Sequence, residues 1–138
     1  MFLSVLRSCY MFIASVICCI TCQKVVLFAE TGCKKATQGV VSVLLGPTNV
    51  LCVYNWIVLT QRFDGALDFN RLWANYKQGF GSNNIPNGNF WLGLKKMHPL
   101  TETNTYRLRF LLQSYSSSQW FYADYDRITI AAEASKYR

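Results

Sequence analysis

Catalytic and metal-binding side chains are scarce in this sequence. Its 138 residues include a single histidine, His98, and only seven acidic residues. Beyond residue 22 just two cysteines remain, Cys33 and Cys52, and they do not form a Cys-x-x-Cys pair. A structural zinc site needs about four such ligands, and a lone histidine without a neighbouring carboxylate or nucleophile is more often a structural residue. We therefore expect no metal or cofactor site and no enzymatic activity.

A nucleic-acid-binding pattern is also missing. The formal net charge is +7, but the cations are scattered and only Lys34-Lys35 and Lys95-Lys96 are adjacent. Nucleic-acid recognition would require a basic stripe or a known motif. The chain also lacks an internal repeat, a heptad region, a collagen-like segment and an Asn-x-Ser/Thr sequon. We expect no nucleic-acid partner, and the sequence leaves the oligomeric state open.

Apolar and aromatic residues, by contrast, are abundant. They make up 51% and 15% of the chain, respectively. This composition is typical of a packed globular domain, and the length has room for one such domain at most.

The N-terminal segment has the pattern of a signal peptide. Arg7 is its one charged residue, and a fourteen-residue uncharged run from Cys9 to Cys22 ends at Gln23-Lys24. Because a membrane-spanning helix needs about 20 apolar residues, we expect a signal peptide over residues 1–22, a short linker over 23–31, and secretion without a stable membrane span. A signal-anchor is the alternative. Cleavage could follow Thr21, Cys22 or Ala29, since none of these completes an Ala-x-Ala site.

Strand patterns occupy the two ends of the remaining chain. Residues 40–45 and 50–54 flank a Gly-Pro turn, and 56–62 forms a third apolar run, so three strands are predicted. Residues 105–113 alternate in polarity, which predicts a half-buried strand. A hairpin connection over 114–118 and return strands over 119–124 and 127–130 complete the pattern, with Trp120, Tyr122, Ile128 and Ile130 as apolar partners.

A helix is predicted between these strand regions. Phe69, Leu72, Trp73 and Tyr76 are spaced i, i+3, i+4 and i+7, which places all four on one helical face that we expect to be buried. Asp68 is the expected N-cap and Gly79 the expected C-terminal stop. A short helical turn is predicted over Lys95–His98.

Cys33 and Cys52 admit two interpretations. A disulfide between them would close a loop of roughly twenty residues and contribute about 3 kcal/mol through loop entropy. The alternative is two buried free thiols.

The stretch from Trp56 to Gly93 resembles the opening of the fibrinogen C-terminal domain family. The first matching block comprises Trp56, Val58, Gln61, Arg62, Asp64, Gly65, Asp68, Phe69, Arg71, Trp73, Tyr76, Lys77, Gly79, Phe80 and Gly81. The second comprises Phe90, Trp91, Leu92, Gly93, His98, Leu100 and Thr101. Later matches are Tyr106–Arg109, Ala123–Tyr125 and Glu133–Arg138.

The resemblance implies an α+β fold: a mixed or antiparallel twisted sheet flanked by short helices, truncated to a partial domain over residues 32–138. It implies that Cys33 and Cys52 form the family's first disulfide, and that a structural core motif comprises Trp56, Phe69, Trp73, Tyr76, Phe90 and Trp91. The family's calcium site belongs to a later half of the domain, so no cofactor is expected here. Asn89 departs from the family pattern, which has glutamate before Phe-Trp-Leu-Gly.

The function implied by the resemblance is a secreted, extracellular recognition protein that is lectin-like or defensive and binds a glycan or protein ligand. An angiopoietin-like or tenascin-like signalling or matrix protein is the second hypothesis. A truncated isoform or gene-model fragment without independent binding is the third.

Overall fold

The computed structural model describes residues 22–30, 33, 40–45, 48–53, 56–83 and 88–138. In chain order the described elements are β1 (Cys22–Glu30), β2 (Val40–Leu45), β3 (Thr48–Val53), β4 (Trp56–Arg62), α1 (Trp73–Gln78), β5 (Phe80–Gly81), β6 (Phe90–Trp91), α2 (Leu94–Thr103), β7 (Tyr106–Ser114) and β8 (Trp120–Ile128). A 3₁₀ turn over Glu133–Ser135 follows.

The strands form one sheet in the order β2-β3-β4-β1-β7-β8, and β6 pairs with both β4 and β5 beside this path. Every described pair is antiparallel. An antiparallel sheet with a few short helices confirms the α+β class predicted from the sequence.

The predicted strands β2, β3 and β4 form as expected. Val41 lies opposite Cys52 in the β2–β3 pair, and Cys52 lies opposite Ile57 in the β3–β4 pair. Residues 50–52 of β3 and 57–60 of β4 are buried without alternation. Such a continuous buried run is expected of a strand that is covered on both faces. These two strands hold the centre of the core.

The segment expected to be a linker is organised differently. Residues 23–30 of the predicted 23–31 linker lie in β1, which pairs with β4 on one side and with β7 on the other. Its apolar run Val25–Phe28 suits a strand between two neighbours, although the same run also fits the end of a leader. Residues 1–21 of the predicted signal peptide lie outside the described residues, whereas its last residue, Cys22, is the first residue of β1.

The predicted helix begins later than its periodicity suggested. Asp68 does not cap it: its Oδ1 accepts a hydrogen bond from the Asn70 backbone N–H at 2.7 Å, which closes a local turn of the type that competes with helix. Helix α1 begins at Trp73, with Leu72 at the N-cap position. Gly79 ends the helix as predicted, and its N–H bonds the Asn75 carbonyl at 2.8 Å.

Two further elements are longer than the sequence indicated. Helix α2 extends the short turn predicted at Lys95–His98 to Leu94–Thr103, and it buries Met97, Leu100 and Thr101. In place of the two return strands predicted over 119–124 and 127–130, the structure has one strand, β8 (Trp120–Ile128). Its pairing with β7 continues past a shift of register between Tyr106 and Leu108.

Candidate functional site

The Cys33–Cys52 disulfide ties the segment after β1 to β3. Its Cα atoms are 5.8 Å apart, and both cysteines are buried. The structure therefore has the bridge that the resemblance implied and not two free thiols. The bridge holds residue 33 against the central strand β3.

The aromatic motif surrounds Tyr76. The Tyr76 ring meets those of Phe80 and Trp91 edge-on at 5.2 and 5.5 Å. Its hydroxyl donates to the Phe69 carbonyl at 2.7 Å, while Trp91 Nε1–H donates to the Tyr76 carbonyl at 2.8 Å. Phe69, Phe90 and Trp91 are buried. These side chains hold α1 against β6 with their polar atoms paired, so they act as a scaffold.

Trp73 and Leu72 were expected in the core and lie on the surface, so this part of the prediction was wrong. Trp73 is 42% exposed and Leu72 78% exposed. The reason is the late start of α1, which takes Phe69 off the helix and turns Trp73 outward. The Trp73 ring packs at 6.3 Å from Tyr137 instead.

Asn89 connects the loop before β6 to the turn after β4. Its Oδ1 accepts hydrogen bonds from the Phe63 and Asp64 backbone N–H groups at 2.8 and 3.3 Å. Its Nδ2 donates to Asp64 Oδ1 at 2.8 Å. A glutamate at this position could not donate a hydrogen bond to Asp64. The residue that departs from the family pattern thus makes an amide-specific contact.

His98 has a structural position. Its Nδ1 lies 2.7 Å from the Ile130 carbonyl oxygen, so this nitrogen carries the proton and donates. The Ile130 N–H in turn donates to Thr101 Oγ1 at 3.0 Å. These two bonds dock α2 on the segment after β8. The sequence was interpreted as having no carboxylate near His98, which was wrong, since Glu102 Oε2 lies 3.7 Å from His98 Nε2.

Arg109 lies at the centre of a cluster that joins β4, β7 and β8. Its Nε and Nη2 donate to the two carboxylate oxygens of Asp124, each at 2.6 Å. Its guanidinium lies 4.7 Å from the centre of the Trp56 ring and 5.3 Å from that of Tyr122. Arg107 Nη2 adds a longer contact to Asp124 at 3.7 Å. Trp56, expected in the core, is half-buried at the core's edge and forms part of this surface cluster.

Most of the exposed aromatic side chains of the described residues lie on strand β8. Four of its aromatic side chains are 46–71% exposed, and Tyr115 in the adjoining turn is 72% exposed. We call these five residues the hairpin surface: Tyr115, Trp120, Phe121, Tyr122 and Tyr125.

The hairpin surface has two faces. Phe121 and Tyr125 share the face of Phe110, whose ring meets that of Tyr125 at 5.6 Å. Tyr122 lies on the opposite face with the Arg109–Asp124 pair. β8 ends the strand order, so within the described part of the chain it pairs on one side only. Its other edge offers backbone N–H and C=O groups for pairing.

The electrostatics of this cluster follow from the ion pair. The hydrogen bonds from Arg109, with smaller Coulombic contributions from Arg109 and Arg107, lower the pKa of Asp124 against an opposing effect of desolvation. Asp124 therefore stays ionised and keeps Arg109 in place across the neutral range.

Sequence reasoning missed the hairpin surface. Of the four apolar partners predicted on the return strands, Trp120 and Tyr122 are exposed, so this part of the prediction was wrong. Ile130 is buried and Ile128 packs against the core, as predicted. The missed signal was the composition of 120–126, in which aromatics are consecutive and not alternating, with Asp124 and Asp126 among them. Consecutive aromatic residues place rings on both faces of a strand, and β8, unlike β4, is not covered on both faces.

Two observations concern metals and membranes. Among the described residues, no three His, Cys, Asp or Glu side chains come together in a way that could hold a metal ion. No helix in the same part of the chain has the length and apolar character needed to cross a bilayer.

Residues 50–138 match the family described as "Fibrinogen beta and gamma chains, C-terminal globular domain". Since this match covers well over half of the chain, the protein belongs to that family.

Individual relatives agree with the family match. The chain is 43% identical over 83 residues to protein scabrous of Drosophila melanogaster, an alignment that covers 60% of this chain and 10% of scabrous. It is 40% identical over 83 residues to angiopoietin-4 of Bos taurus and to angiopoietin-1 of Homo sapiens, covering 60% of this chain and 16% of each relative. The chain thus corresponds to a small part of each of these proteins.

Proposed function

We propose that this chain is a secreted, non-catalytic fibrinogen-related recognition protein that binds an extracellular protein partner through the hairpin surface. The observation that carries the proposal is the one-sided pairing of β8 together with its four exposed aromatic side chains.

The chemistry of this surface suits a protein partner. Tyrosine and tryptophan combine a large apolar ring with a polar atom, and they are enriched with arginine at the centre of protein interfaces. The edge of β8 that has no partner among the described strands adds main-chain donors and acceptors, which an extended segment of a partner can use by strand addition. Arg109 is already fixed by Asp124 at 2.6 Å, so its ordering costs little on binding.

A protein partner is preferred over the glycan that a lectin-like function would require. Strand addition uses the peptide groups of the partner, which a glycan lacks. The two functions also differ in their need for calcium: we propose that binding here needs none, since the cluster consists of rings, backbone groups and a satisfied ion pair.

The test uses the full chain with a C-terminal tag, expressed in animal secretory cells. We expect the protein in the medium and bound to surfaces of cells from the same organism, with binding unchanged by EDTA. Tyr122→Ser should reduce binding at least tenfold. Leu72→Ser removes an apolar side chain that is similarly exposed, 78% against 71% for Tyr122, but lies outside the hairpin surface, and it should leave binding unchanged. Equal effects of the two substitutions, or binding to a glycan array that EDTA abolishes, would contradict the proposal.

A further inference from the structure

The backbone of β8 turns hydrogen-bonding groups to its outer edge at every second residue. The Ser114 N–H donates to the Gln119 carbonyl at 2.9 Å. The first pair of the β7–β8 ladder, Gln113 with Trp120, follows directly. Because pairs that exchange backbone hydrogen bonds alternate with pairs that do not, and the Ser114 bond flanks this first pair, the pair itself exchanges none. The residues whose N–H and C=O groups point away from β7 are therefore Trp120, Tyr122 and Asp124.

The ion pair of the hairpin agrees with this assignment. Asp124 lies opposite Arg109 in a pair of the same kind, and side chains approach each other more closely in such pairs. Two bonds of 2.6 Å join these two residues. No other described strand lies on the outer side of β8. An extended polypeptide carries donors and acceptors at the spacing that such an edge requires.

A bulge sets the length of this edge. Asp126 and Arg127 of β8 together oppose the single residue Arg107 of β7. A bulge of this kind bends the strand and interrupts pairing. The regular edge thus extends from Trp120 to Tyr125, about six residues or 20 Å, and a partner segment of similar length fits it.

The opposite face of the same edge has a gap between two rings. Phe121 and Tyr125 are 52% and 50% exposed, and Ala123 lies between them on the same face, opposite Phe110. Ala123 is exposed as well. Side chains at alternate residues of a strand are about 7 Å apart, so the methyl group of Ala123 leaves room for one apolar side chain of a partner. We call this space the Ala123 notch.

The charge at the bulge favours an acidic segment. Arg107, Arg109 and Arg127 lie there with Asp124 and Asp126, so three arginines against two aspartates leave a local charge of +1 in a chain of net charge +7. Arg107 and Arg127 are exposed. Complementary charge speeds association and selects the partner, and carboxylates beside the paired segment would supply it.

We infer that the partner binds as an extended, acidic segment that pairs with the outer edge of β8 and places one apolar side chain in the Ala123 notch. The inference rests on the proposed function and specifies the chemistry of the partner. It also identifies Ala123 as a residue that determines which segments can bind.

Ala123→Ile tests the notch. Isoleucine is favoured in strands, so the variant should keep the melting temperature of the natural chain while it fills the gap. Ala66→Ile is the matched control, because it makes the same exchange at an exposed alanine outside the hairpin surface. Both tagged chains are secreted and titrated on cells from the same organism. We expect Ala123→Ile to weaken binding at least about tenfold and Ala66→Ile to leave it unchanged.

Tyr122→Pro tests the backbone pairing, with Tyr122→Ser as its control. Both variants lose the ring, but only proline removes the N–H that points away from β7. We expect Tyr122→Pro to bind at least about fivefold more weakly than Tyr122→Ser, as for one lost hydrogen bond. Hydrogen exchange of the β7 amides should be the same in both variants, which shows that the hairpin is formed.

Arg127→Gln tests the acidic character of the segment. It should weaken binding about three- to fivefold at low salt, whereas Arg71→Gln, which removes an exposed arginine ahead of α1, should not. Equal effects of these two substitutions would overturn the acidic character.

Full binding by Ala123→Ile, or equal binding by Tyr122→Pro and Tyr122→Ser, would overturn the inference. The proposed function would survive either result as long as Tyr122→Ser still weakens binding. If Ala123→Ile does not reach the medium, the two Tyr122 variants decide the inference alone. Unchanged binding by Tyr122→Ser would overturn the proposed function, and the inference with it.

Discussion

Arg109 and Asp124 lie directly opposite each other in the β7–β8 ladder, and two hydrogen bonds of 2.6 Å join the guanidinium to the carboxylate. This bidentate geometry is the strongest arrangement available to such a pair. Since β8 has no partner on its other side among the described strands, the pair is a principal cross-strand contact that holds the hairpin surface in place.

Asp124→Asn should loosen this hairpin without unfolding the domain. The substitution removes the charge and one acceptor oxygen while keeping the shape of the side chain. We expect hydrogen exchange of the β8 amides to accelerate roughly two- to fivefold, in the range of exposed ion pairs. Asp126→Asn is the control because it removes a carboxylate from the same strand, and it should change exchange less. Equal acceleration in the two variants would show that the hairpin is stabilised by negative charge anywhere on β8 and not by the Arg109–Asp124 pair.

Acid should weaken the same contact. The pKa of Asp124 is lowered by its hydrogen bonds to Arg109, and that of Glu133 by its hydrogen bond to Lys77. A carboxyl group with a lower pKa in the folded state contributes stability that is present above its unfolded pKa of about 4 and is lost as the pH falls through the folded pKa.

The melting temperature should therefore be level from neutral pH to about pH 5 and then decrease with increasing acidity. Asp124→Asn should show a smaller decrease, because it lacks one of the groups that titrate. An identical acid dependence in the natural chain and the variant would rule out Asp124 as a source of the effect.

Gly93 should tolerate no side chain. Its φ angle is +103°, and a Cβ atom there would lie 2.5 Å from the Gln78 carbonyl oxygen. Both the backbone conformation and this contact disfavour any other residue, so Gly93→Ala should lower the free energy of unfolding by at least about 2 kcal/mol. Urea denaturation measures this effect.

Gly65→Ala is the matched control for that substitution. No atom lies within 4 Å of the Cβ position at Gly65, so its effect should stay within about 0.5 kcal/mol. A similar loss of stability in both variants would mean that the close approach of Gly93 to the end of α1 does not matter energetically.

Removal of the Cys33–Cys52 disulfide should destabilise the chain by about 3 kcal/mol, as expected for a loop of this length. The double variant Cys33→Ala/Cys52→Ala tests this in urea denaturation. Dithiothreitol should lower the stability of the natural chain by a similar amount and leave the double variant unchanged. A natural chain that is insensitive to dithiothreitol would contradict the contribution assigned to the bridge.

The sequence predicted those parts of the fold that depend on local pattern. Strand β4 was placed at residues 56–62 by its apolar run, and Gly79 was recognised as the end of α1. The helix start was misplaced because the Asp68 side chain accepts a hydrogen bond from the Asn70 N–H, which forms a local turn in place of helix. Apolar periodicity carries no information about such a turn.

The role of β1 could not be read from its own residues. An apolar run after a predicted leader fits either the leader or a covered strand, and only the pairing of β1 with β4 and β7 distinguishes the two. The Trp56–Arg109–Tyr122 cluster was missed for a similar reason, since it joins three strands that are distant in sequence.

Site-specific photo-crosslinking tests the proposed partner surface most directly. A photoreactive phenylalanine analogue replaces Tyr122 in one secreted chain and Leu72 in another, and each is irradiated on cells from the same organism. We expect one discrete protein adduct from position 122 that excess natural chain suppresses, and no such adduct from position 72. The same adducts from both positions, or an adduct from position 72 alone, would contradict recognition through the hairpin surface.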